Sequence, residues 1–248
     1  MGFIKVGIFG CGWLGRALAK SLQPHGTVYG AVRSLVSLEG LRSEKIEAFQ
    51  NPDECSKFWS VDILVIAISP QQNYIETINK IARYTTTQTK QVILISSTSV
   101  YKDGQVSVDE LSAIDSSKIV VQGELLFKRY FPHGSIVRLG GLMGDDRIAG
   151  QWNTSRLKDV SVNYLHQVDA VGVIGEIIRQ NIKDEVINVV APRHPKRSEV
   201  YKMNCDRFGW SLPLFTEGEE KVVSSQKSET LLGYDYQFED PMHFWSGN

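Results

Sequence analysis

Short apolar runs rich in β-branched residues recur along the chain and alternate with segments of helical periodicity. The apolar runs are FIKVGIF, TVYGAV, DILVIAIS, QVILISS, GSIVRLGG and EVINVV. Near-continuous apolarity in runs this short is typical of strands buried on both faces, as in a parallel sheet. Between these runs, Trp13–Leu22, 71–84 and 118–130 place apolar residues at helical intervals. This alternation predicts an α/β fold with a doubly wound parallel sheet.

The second half of the chain departs from this alternation. Glycines, amides and charges break the pattern at 144–159, which predicts a loop region with short helices. The pattern then predicts a helix at 198–208 and short strands and turns at 211–248.

These segments suggest a division of the chain into two parts. We expect a nucleotide-binding core at 1–142, whose sheet is completed by a strand near 186–190. We expect 143–248 to form a small substrate lobe, not an independent domain. This lobe would lie over the carboxyl ends of the sheet strands, where ligands bind in open α/β folds.

Gly10, Gly12 and Gly15 follow the first apolar run and precede the first helical segment, in the sequence GIFGCGWLG. In a Gly-x-Gly-x-x-Gly turn, the first glycine makes the turn, the second admits a pyrophosphate, and the third allows close packing of helix on strand. Such a triplet alone also fits an ordinary turn, but between a strand and a helix it favours a Rossmann-type dinucleotide site. The residues predicted to bind the cofactor are Gly10, Cys11, Gly12, Trp13, Leu14, Gly15, Arg33, Ser34, Ala67, Ile68 and Ser96.

The end of the second predicted strand, TVYGAV, indicates which nucleotide is preferred. An NAD site usually has an acidic residue about 20 positions beyond the glycines, on the ribose 2′-hydroxyl. Here Arg33 and Ser34 follow the strand, and no Asp or Glu lies between Gly15 and Glu39. A guanidinium pairs well with a 2′-phosphate, so we predict that NADP is preferred over NAD. The alternative is that Arg33 is a solvated residue on a surface turn.

Composition and net charge limit the kinds of binding partner that we expect. With 27 basic and 28 acidic residues, the net charge of -1 gives no reason to expect nucleic acid or an anionic membrane, so a small-molecule substrate is favoured. The three cysteines are scattered and lack disulfide or metal-ligand spacing, which predicts no metal and a reducing cytoplasm. No apolar run approaches the ~20 residues of a membrane helix. We expect a soluble monomer or homodimer.

Four further segments show a family resemblance. They are SSTSVY, IVRLGGLMGDDR, NYLHQVDAVG and KVVSSQKSETLLGY, and with the glycine turn they span most of the chain. Together they resemble the short-chain dehydrogenase/reductase superfamily, in particular its extended NAD-dependent epimerase/dehydratase branch. SSTSVY resembles the Ser-Ser-x-x-Val-Tyr-Gly signature of that branch, with Lys102 in place of the glycine. The resemblance implies an NAD(P)-binding oxidoreductase or epimerase that acts on a small hydroxyl or carbonyl compound, or on a nucleotide-sugar-like substrate.

The resemblance also implies roles for residues in these segments. Ser97 matches the serine that hydrogen-bonds the substrate oxygen; alternatively it satisfies backbone groups at a strand end. Tyr101 is the candidate proton donor, although a tyrosine at this position commonly packs near the substrate without acting as an acid. His166 is a candidate substrate-binding residue, with structural hydrogen bonding as the alternative. Arg138 is a candidate for orienting an anionic substrate, whereas the resemblance suggests a structural or loop-fixing role. His166 and Asp169 match the His-x-x-Asp segment of the family, which borders the substrate; alternatively, Asp169 is the N-cap of a helix at 170–180.

The catalytic Tyr-x-x-x-Lys pair of this superfamily is missing from the expected helix. If Glu124 matches the glutamate that usually follows the lysine, the pair falls on Ser116 and Val120, and Lys118 is out of step. The glycine turn is also one residue shorter than in ordinary extended members. Both departures resemble atypical members of the superfamily. Two hypotheses follow: an NADP-dependent oxidoreductase or epimerase with an atypical active site, or a non-catalytic NADP-binding sensor. A nucleotide-free scaffold is the least favoured alternative.

Overall fold

The computed structural model describes residues 4–53, 55–71, 73–102, 104–152 and 155–245. The strands are β1 (Ile4–Phe9), β2 (Gly26–Val32), β3 (Glu47–Gln50), β4 (Ile63–Ile66), β5 (Gln91–Ser97), β6 (Ser107–Val108), β7 (Ser135–Leu139), β8 (Gly141–Met143), β9 (Arg156–Asp159), β10 (Tyr164–His166), β11 (Val186–Val189), β12 (Leu214–Glu217) and β13 (Val222–Val223). The α-helices are α1 (Trp13–Leu22), α2 (Leu35–Ser43), α3 (Ser56–Trp59), α4 (Tyr74–Tyr84), α5 (Ile119–Tyr130), α6 (Gln167–Arg179), α7 (Arg197–Phe208) and α8 (Gln226–Leu232).

The central sheet has seven strands in the order β3, β2, β1, β4, β5, β7, β11. Strand β1 pairs in parallel with both β2 and β4, so that Ile8 lies between Gly30 and Val65. The strand order therefore reverses between β1 and β4, which is the position where doubly wound sheets bind their ligands. The predicted fold class, a doubly wound parallel sheet of Rossmann type, is confirmed.

The chain forms two compact units. The first consists of 1–97, 116–138 and 174–186, and the second of 98–115, 139–173 and 187–248.

In the first unit, apolar side chains from strands and helices form a common core. Strands β4 and β5 are almost entirely buried, as expected for strands covered on both faces. The core residues are Tyr29, Ala31, Phe58, Trp59, Val61, Leu64, Ile66, Ile81, Val92, Leu94, Phe127 and Ile136.

The second unit contains three pairs of short parallel strands: β8 with β10, β9 with β12, and β6 with β13. Its core contains Met143, Ala149, Val162, Tyr164, Ala191, Val200, Tyr201, Phe244 and Trp245.

Several elements differ from the sequence-based expectation. The segment 144–159, expected to contain short helices, ends in strand β9 instead, because β9 pairs with β12 far along the chain. The pattern also missed α2, β3 and α3, which have nine, four and four residues and are too short to show a clear period. The stretch 211–248, expected to hold only short strands and turns, contains helix α8. No helix in the described ranges is long and apolar enough to span a membrane.

Candidate nucleotide-binding site

A cleft of about 310 Å³ opens in the first unit, at the carboxyl ends of the strands on both sides of the sheet reversal. Its walls are the glycine turn after β1, the ends of β2 and β4, and the start of α4. The lining residues are Phe9, Gly10, Cys11, Gly12, Ala31, Val32, Arg33, Ser34, Ser37, Asn51, Pro52, Ala67, Ile68, Ser69, Gln71, Tyr74 and Thr77.

The glycine turn forms the floor of this cleft. Gly10 has φ +93°, a conformation that glycine adopts without steric cost, and a Cβ there would overlap the Ala67 carbonyl. The N–H groups of Gly10 and Cys11 both donate to the Ala31 oxygen, at 3.1 and 2.9 Å. These two bonds fix the turn against β2. The first glycine therefore makes the turn, as the sequence pattern predicts.

Gly12 and Gly15 differ in what surrounds them. A Cβ on Gly12 would meet no atom within 4 Å, so the space beside this glycine is open to the cleft. A Cβ on Gly15 would lie 2.8 Å from the Gly10 oxygen and 3.1 Å from Ile8 Cγ2. Gly15 thus lets α1 pack closely on β1, while Gly12 leaves room for a ligand.

Helix α1 begins at Trp13, directly after the glycines, with a bond of 2.7 Å from the Arg16 N–H to the Gly12 oxygen. The first N–H groups of a helix have no acceptor within it, and the partial positive charge there favours anions. The arrangement of strand, open glycine and helix start is therefore suited to a pyrophosphate.

A second helix start lies in the same cleft. Ser34 is the N-cap of α2 and accepts a hydrogen bond of 3.1 Å from the Ser37 N–H. Arg33 lies just before this cap and is exposed. Among the described residues that line the cleft, Arg33 is the one cation and no carboxylate is present. An anion at this end of the cleft would meet a guanidinium, two hydroxyls and a helix N-terminus.

Cys11 lines the cleft, but its side chain is only 2% exposed. Burial raises the pKa of the Cys11 thiol to about 12. The thiol therefore stays neutral near pH 7, and Cys11 serves as a small side chain in a tight turn.

Four residues predicted to contact the cofactor do not line this cleft. Trp13 is half-buried, Leu14 and Gly15 are buried, and Ser96 lies inside the unit. Ser96 Oγ donates a hydrogen bond of 2.6 Å to the Glu124 carboxylate. The other seven predicted residues, Gly10, Cys11, Gly12, Arg33, Ser34, Ala67 and Ile68, do line it.

Arg138 is buried within the first unit. Its guanidinium donates to both oxygens of Glu124, from Nε at 3.0 Å and from Nη2 at 2.7 Å. In a bidentate buried pair of this kind, two N–H groups of the guanidinium are already used as hydrogen-bond donors. This supports the structural alternative for Arg138, and its contact with substrate stays a prediction.

The two candidate catalytic residues have different surroundings. Ser97 is half-buried at the carboxyl end of β5. Tyr101 is 0% exposed and donates a hydrogen bond of 2.7 Å to Asn188 Oδ1. That bond uses the phenol proton, which supports the packing alternative for Tyr101; its role as an acid stays a prediction.

His166 lies in an aromatic cluster of the second unit. Its ring stacks on Phe238 with centroids 3.7 Å apart and packs edge-on against Phe244. The Val168 N–H donates to His166 Nδ1 at 3.3 Å, and Nε2 is buried with no partner among the described residues. In the neutral ring, a bond accepted at Nδ1 places the proton on Nε2. Burial lowers the pKa of His166, so the neutral form is favoured.

The prediction that Asp169 is an N-cap is wrong, because α6 begins at Gln167 and Asp169 lies in its first turn. The Asp169 carboxylate instead accepts three bonds from one later segment: from the Tyr234 hydroxyl at 2.9 Å, the Gln237 N–H at 2.8 Å and the Phe238 N–H at 2.9 Å. Asp169 thereby fastens that segment to α6, including the ring that stacks on His166.

Sequence reasoning missed several polar residues of the cleft: Ser37, Asn51, Ser69, Gln71, Tyr74 and Thr77. Asn51 follows β3, a strand that the apolar pattern does not reveal. The others lie at helix starts or in the loop after β4. That loop follows a strand beside the sheet reversal, and this position was a usable signal. Within the described ranges, no group of three or more His, Cys, Asp or Glu residues is placed to hold a metal ion.

Together, the reversed sheet, the glycine turn and the cleft define a nucleotide-binding α/β protein of Rossmann type. Residues 5–99 match the family model described as NADP oxidoreductase, coenzyme F420-dependent. This match covers the segment that contains the glycine turn, Arg33 and the end of β5.

Whole-chain comparisons agree with this class. Protein YeeZ of Escherichia coli K12 is 27% identical over 96% of this chain and 97% of its own length. The structure of UDP-glucuronic acid 4-epimerase from Bacillus cereus with NAD has a TM-score of 0.78, at 16% identity over 97% of both chains. Human epimerase family protein SDR39U1 (isoform 2) with NADPH has a TM-score of 0.74, at 15% identity over 97% of both chains.

At identities this low, the solved structures establish the fold alone. The fold that the resemblance implies, a Rossmann-type α/β fold, is confirmed. This fold is shared with solved structures that contain NAD or NADPH. The loss of the Tyr-x-x-x-Lys pair, deduced from the position of Glu124, stays a prediction.

Proposed function

We propose that this protein binds NADP(H) in preference to NAD(H), and that it acts as an oxidoreductase or epimerase on a small hydroxyl or carbonyl compound or a nucleotide-sugar-like substrate. One observation, more than any other, supports the preference for NADP(H). Arg33 lies at the capped start of α2, in a cleft whose described lining residues include no carboxylate. A carboxylate there would favour the ribose 2′-hydroxyl of NAD, whereas a guanidinium pairs with a 2′-phosphate.

The described residues fit the nucleotide. The open space beside Gly12 and the start of α1 suit the pyrophosphate, while Arg33, Ser34 and Ser37 suit the 2′-phosphate. NADP(H), when bound, supplies hydride transfer. The similar structures include one with NAD and one with NADPH, so the preference rests on the residues of this chain.

The protein's own part in a reaction would be orientation and proton transfer. We propose that the Ser97 hydroxyl, at the carboxyl end of β5, hydrogen-bonds the substrate oxygen. We further propose that the neutral His166 ring, whose Nε2 has no partner among the described residues, binds substrate. A donor held in a fixed place contributes to catalysis by stabilising charge that develops on the substrate oxygen.

Paired nucleotide titrations test the proposed preference. Tryptophan-quenching titrations with NADPH and NADH are run on the wild type, on Arg33→Ala, and on the control Arg42→Ala, which removes an exposed arginine in the last turn of α2. We expect NADPH to bind the wild type more tightly than NADH. We expect Arg33→Ala to weaken NADPH binding by about 10- to 100-fold, the range for a charge-assisted hydrogen bond, and to leave NADH unchanged. Equal affinities in the wild type would refute the preference.

A second function, a non-catalytic NADP-binding sensor, is favoured by a specific observation. Tyr101, the candidate acid, is fully buried and donates a hydrogen bond to Asn188 Oδ1. Steady NADPH oxidation with a panel of carbonyl compounds separates the two functions. Turnover that is lost in Ser97→Ala supports the enzyme, whereas tight NADPH binding without turnover supports the sensor.

A further inference from the structure

Tyr74 is a buried phenol in the wall of the cleft, and its hydroxyl has no partner among the described residues. Tyr74 is the first residue of α4 and is 3% exposed. The hydroxyl oxygen makes no hydrogen bond to any described residue. A buried polar group left unsatisfied is costly, so native proteins usually provide a partner from the protein, from water or from a ligand. Since Tyr74 lines the cleft, a ligand can provide it.

The position of Tyr74 is fixed by packing against α5. A Cβ on Gly123 would overlap the Tyr74 ring at Cε1, so only glycine allows the ring to lie there. One residue further along α5, Glu124 accepts a hydrogen bond from the hydroxyl of Ser96 in β5. The phenol therefore lies on the side of the cleft nearest β5.

Arg33 lies on the opposite side, after β2. In the sheet order, β1 and β4 separate β2 from β5, and three strand spacings amount to about 14 Å. A doubly wound sheet binds the two halves of a dinucleotide on the two sides of its reversal. If the 2′-phosphate of the adenosine half meets Arg33, the nicotinamide half extends toward Tyr74.

The Tyr74 phenol is neutral, so its hydroxyl can only donate or accept a hydrogen bond. Burial, and secondarily the Glu124 carboxylate, raise the pKa of Tyr74 above its ordinary value. The group therefore stays protonated at neutral pH and has a proton to donate.

Given the proposed NADP(H) site, on which this inference rests, we infer that Tyr74 Oη donates a hydrogen bond to an oxygen of the nicotinamide half of the bound nucleotide. Tyr74 is then a binding residue that distinguishes whole dinucleotides from their adenosine half. Gly123 is the residue on α5 that admits the phenol to this position.

The test compares two ligands and two matched variants. NADPH contains both halves, whereas 2′,5′-ADP contains the phosphorylated adenosine half alone. Each ligand is titrated by calorimetry against the wild type, Tyr74→Phe and Tyr84→Phe. The control makes the same chemical change at the last residue of α4, where Tyr84 stacks on Trp59 away from the cleft.

We expect Tyr74→Phe to weaken NADPH binding by about 3- to 10-fold, the range for one neutral hydrogen bond, and to leave 2′,5′-ADP binding unchanged. Tyr84→Phe should leave both unchanged. Equal NADPH affinity in Tyr74→Phe and the wild type overturns the inference, and so does an equal loss for both ligands. If the wild type binds no NADPH, the proposed function fails as well; if it binds NADPH and Tyr74→Phe binds equally, only the inference fails.

Thermal unfolding without ligand gives an independent readout. An unsatisfied hydroxyl contributes nothing to the ligand-free fold, so Tyr74→Phe should unfold at the wild-type temperature or above it. Its NADPH-induced rise in melting temperature should be smaller than that of the wild type. A lower melting temperature without ligand would show that the hydroxyl already has a structural partner, and would overturn the inference.

Discussion

The Arg138 guanidinium and the Glu124 carboxylate form a bidentate ion pair in the first unit, with side chains that are 6% and 5% exposed. Ser96 adds a third donor to the same carboxylate. Two buried charges of opposite sign satisfy each other here, and removal of one leaves the other uncompensated.

We therefore predict that Arg138→Leu lowers the free energy of unfolding by about 3–5 kcal/mol. Urea denaturation followed by circular dichroism measures it. Arg179→Leu is the control, because Arg179 pairs with Glu176 at the surface, where solvent screens the attraction and the loss of stability should be much smaller. Similar losses in the two variants would show that the Glu124 pair has no special structural role.

The glycine turn gives a second prediction, because Gly12 faces open space and Gly15 faces the strand. Gly12→Ala should keep the wild-type stability but weaken NADPH binding by about 10-fold or more, equivalent to about 1.4 kcal/mol. Gly15→Ala should instead destabilise the fold by about 1–3 kcal/mol through overpacking against Ile8. Melting curves and NADPH titrations on both variants check this. A Gly12→Ala protein that binds NADPH normally would place the pyrophosphate elsewhere.

Asp169 provides a third prediction, since its carboxylate accepts bonds from Tyr234 and from the backbone of Gln237 and Phe238. Asp169→Asn replaces one acceptor oxygen by a donor group, which should cost about 1–3 kcal/mol. Hydrogen exchange should show faster exchange of the Gln237 and Phe238 amides. Asp235→Asn, an exposed change in the same segment, should leave both amides protected. Unchanged protection in Asp169→Asn would contradict the prediction.

The fourth prediction concerns pH and His166. Burial lowers the pKa of His166 in the folded protein, against an opposing effect of the Asp145 and Asp169 carboxylates. The unfolded chain, with a histidine pKa of about 6.5, then binds a proton more readily than the folded one. Stability should therefore be fully present above about pH 6.5 and decrease as the pH falls toward the lower folded pKa.

Denaturation at pH 7.5, 6.5 and 5.5 measures this decrease, which has a slope of at most about 1.4 kcal/mol per pH unit for each histidine. His166→Gln should decline less steeply than the wild type between about pH 6.5 and 5.5. Burial also lowers the pKa of His194, so part of the decline should remain in the variant. An unchanged slope in His166→Gln would show that this ring does not contribute.

The sequence alone determined the parts of this protein that depend on local pattern. Near-continuous apolar runs predicted strands buried on both faces, and the glycines between a strand and a helix predicted the turn that forms the floor of the cleft. Arg33 and Ser34 were found because they follow a strand at a fixed distance from that turn. Each of these signals lies within a short stretch of the chain, at most about 20 residues long.

Only the tertiary structure decided which side chains already have partners. Arg138 and Glu124 are 14 residues apart, Tyr101 and Asn188 are 87 apart, and Asp169 and Phe238 are 69 apart. No local pattern encodes such pairings, because they depend on how distant strands and helices pack. The same packing places Tyr74 against Gly123 and buries its hydroxyl in the cleft wall. The sequence thus predicted the turn that forms the floor of the cleft, and the packing determined which polar groups around it already have partners.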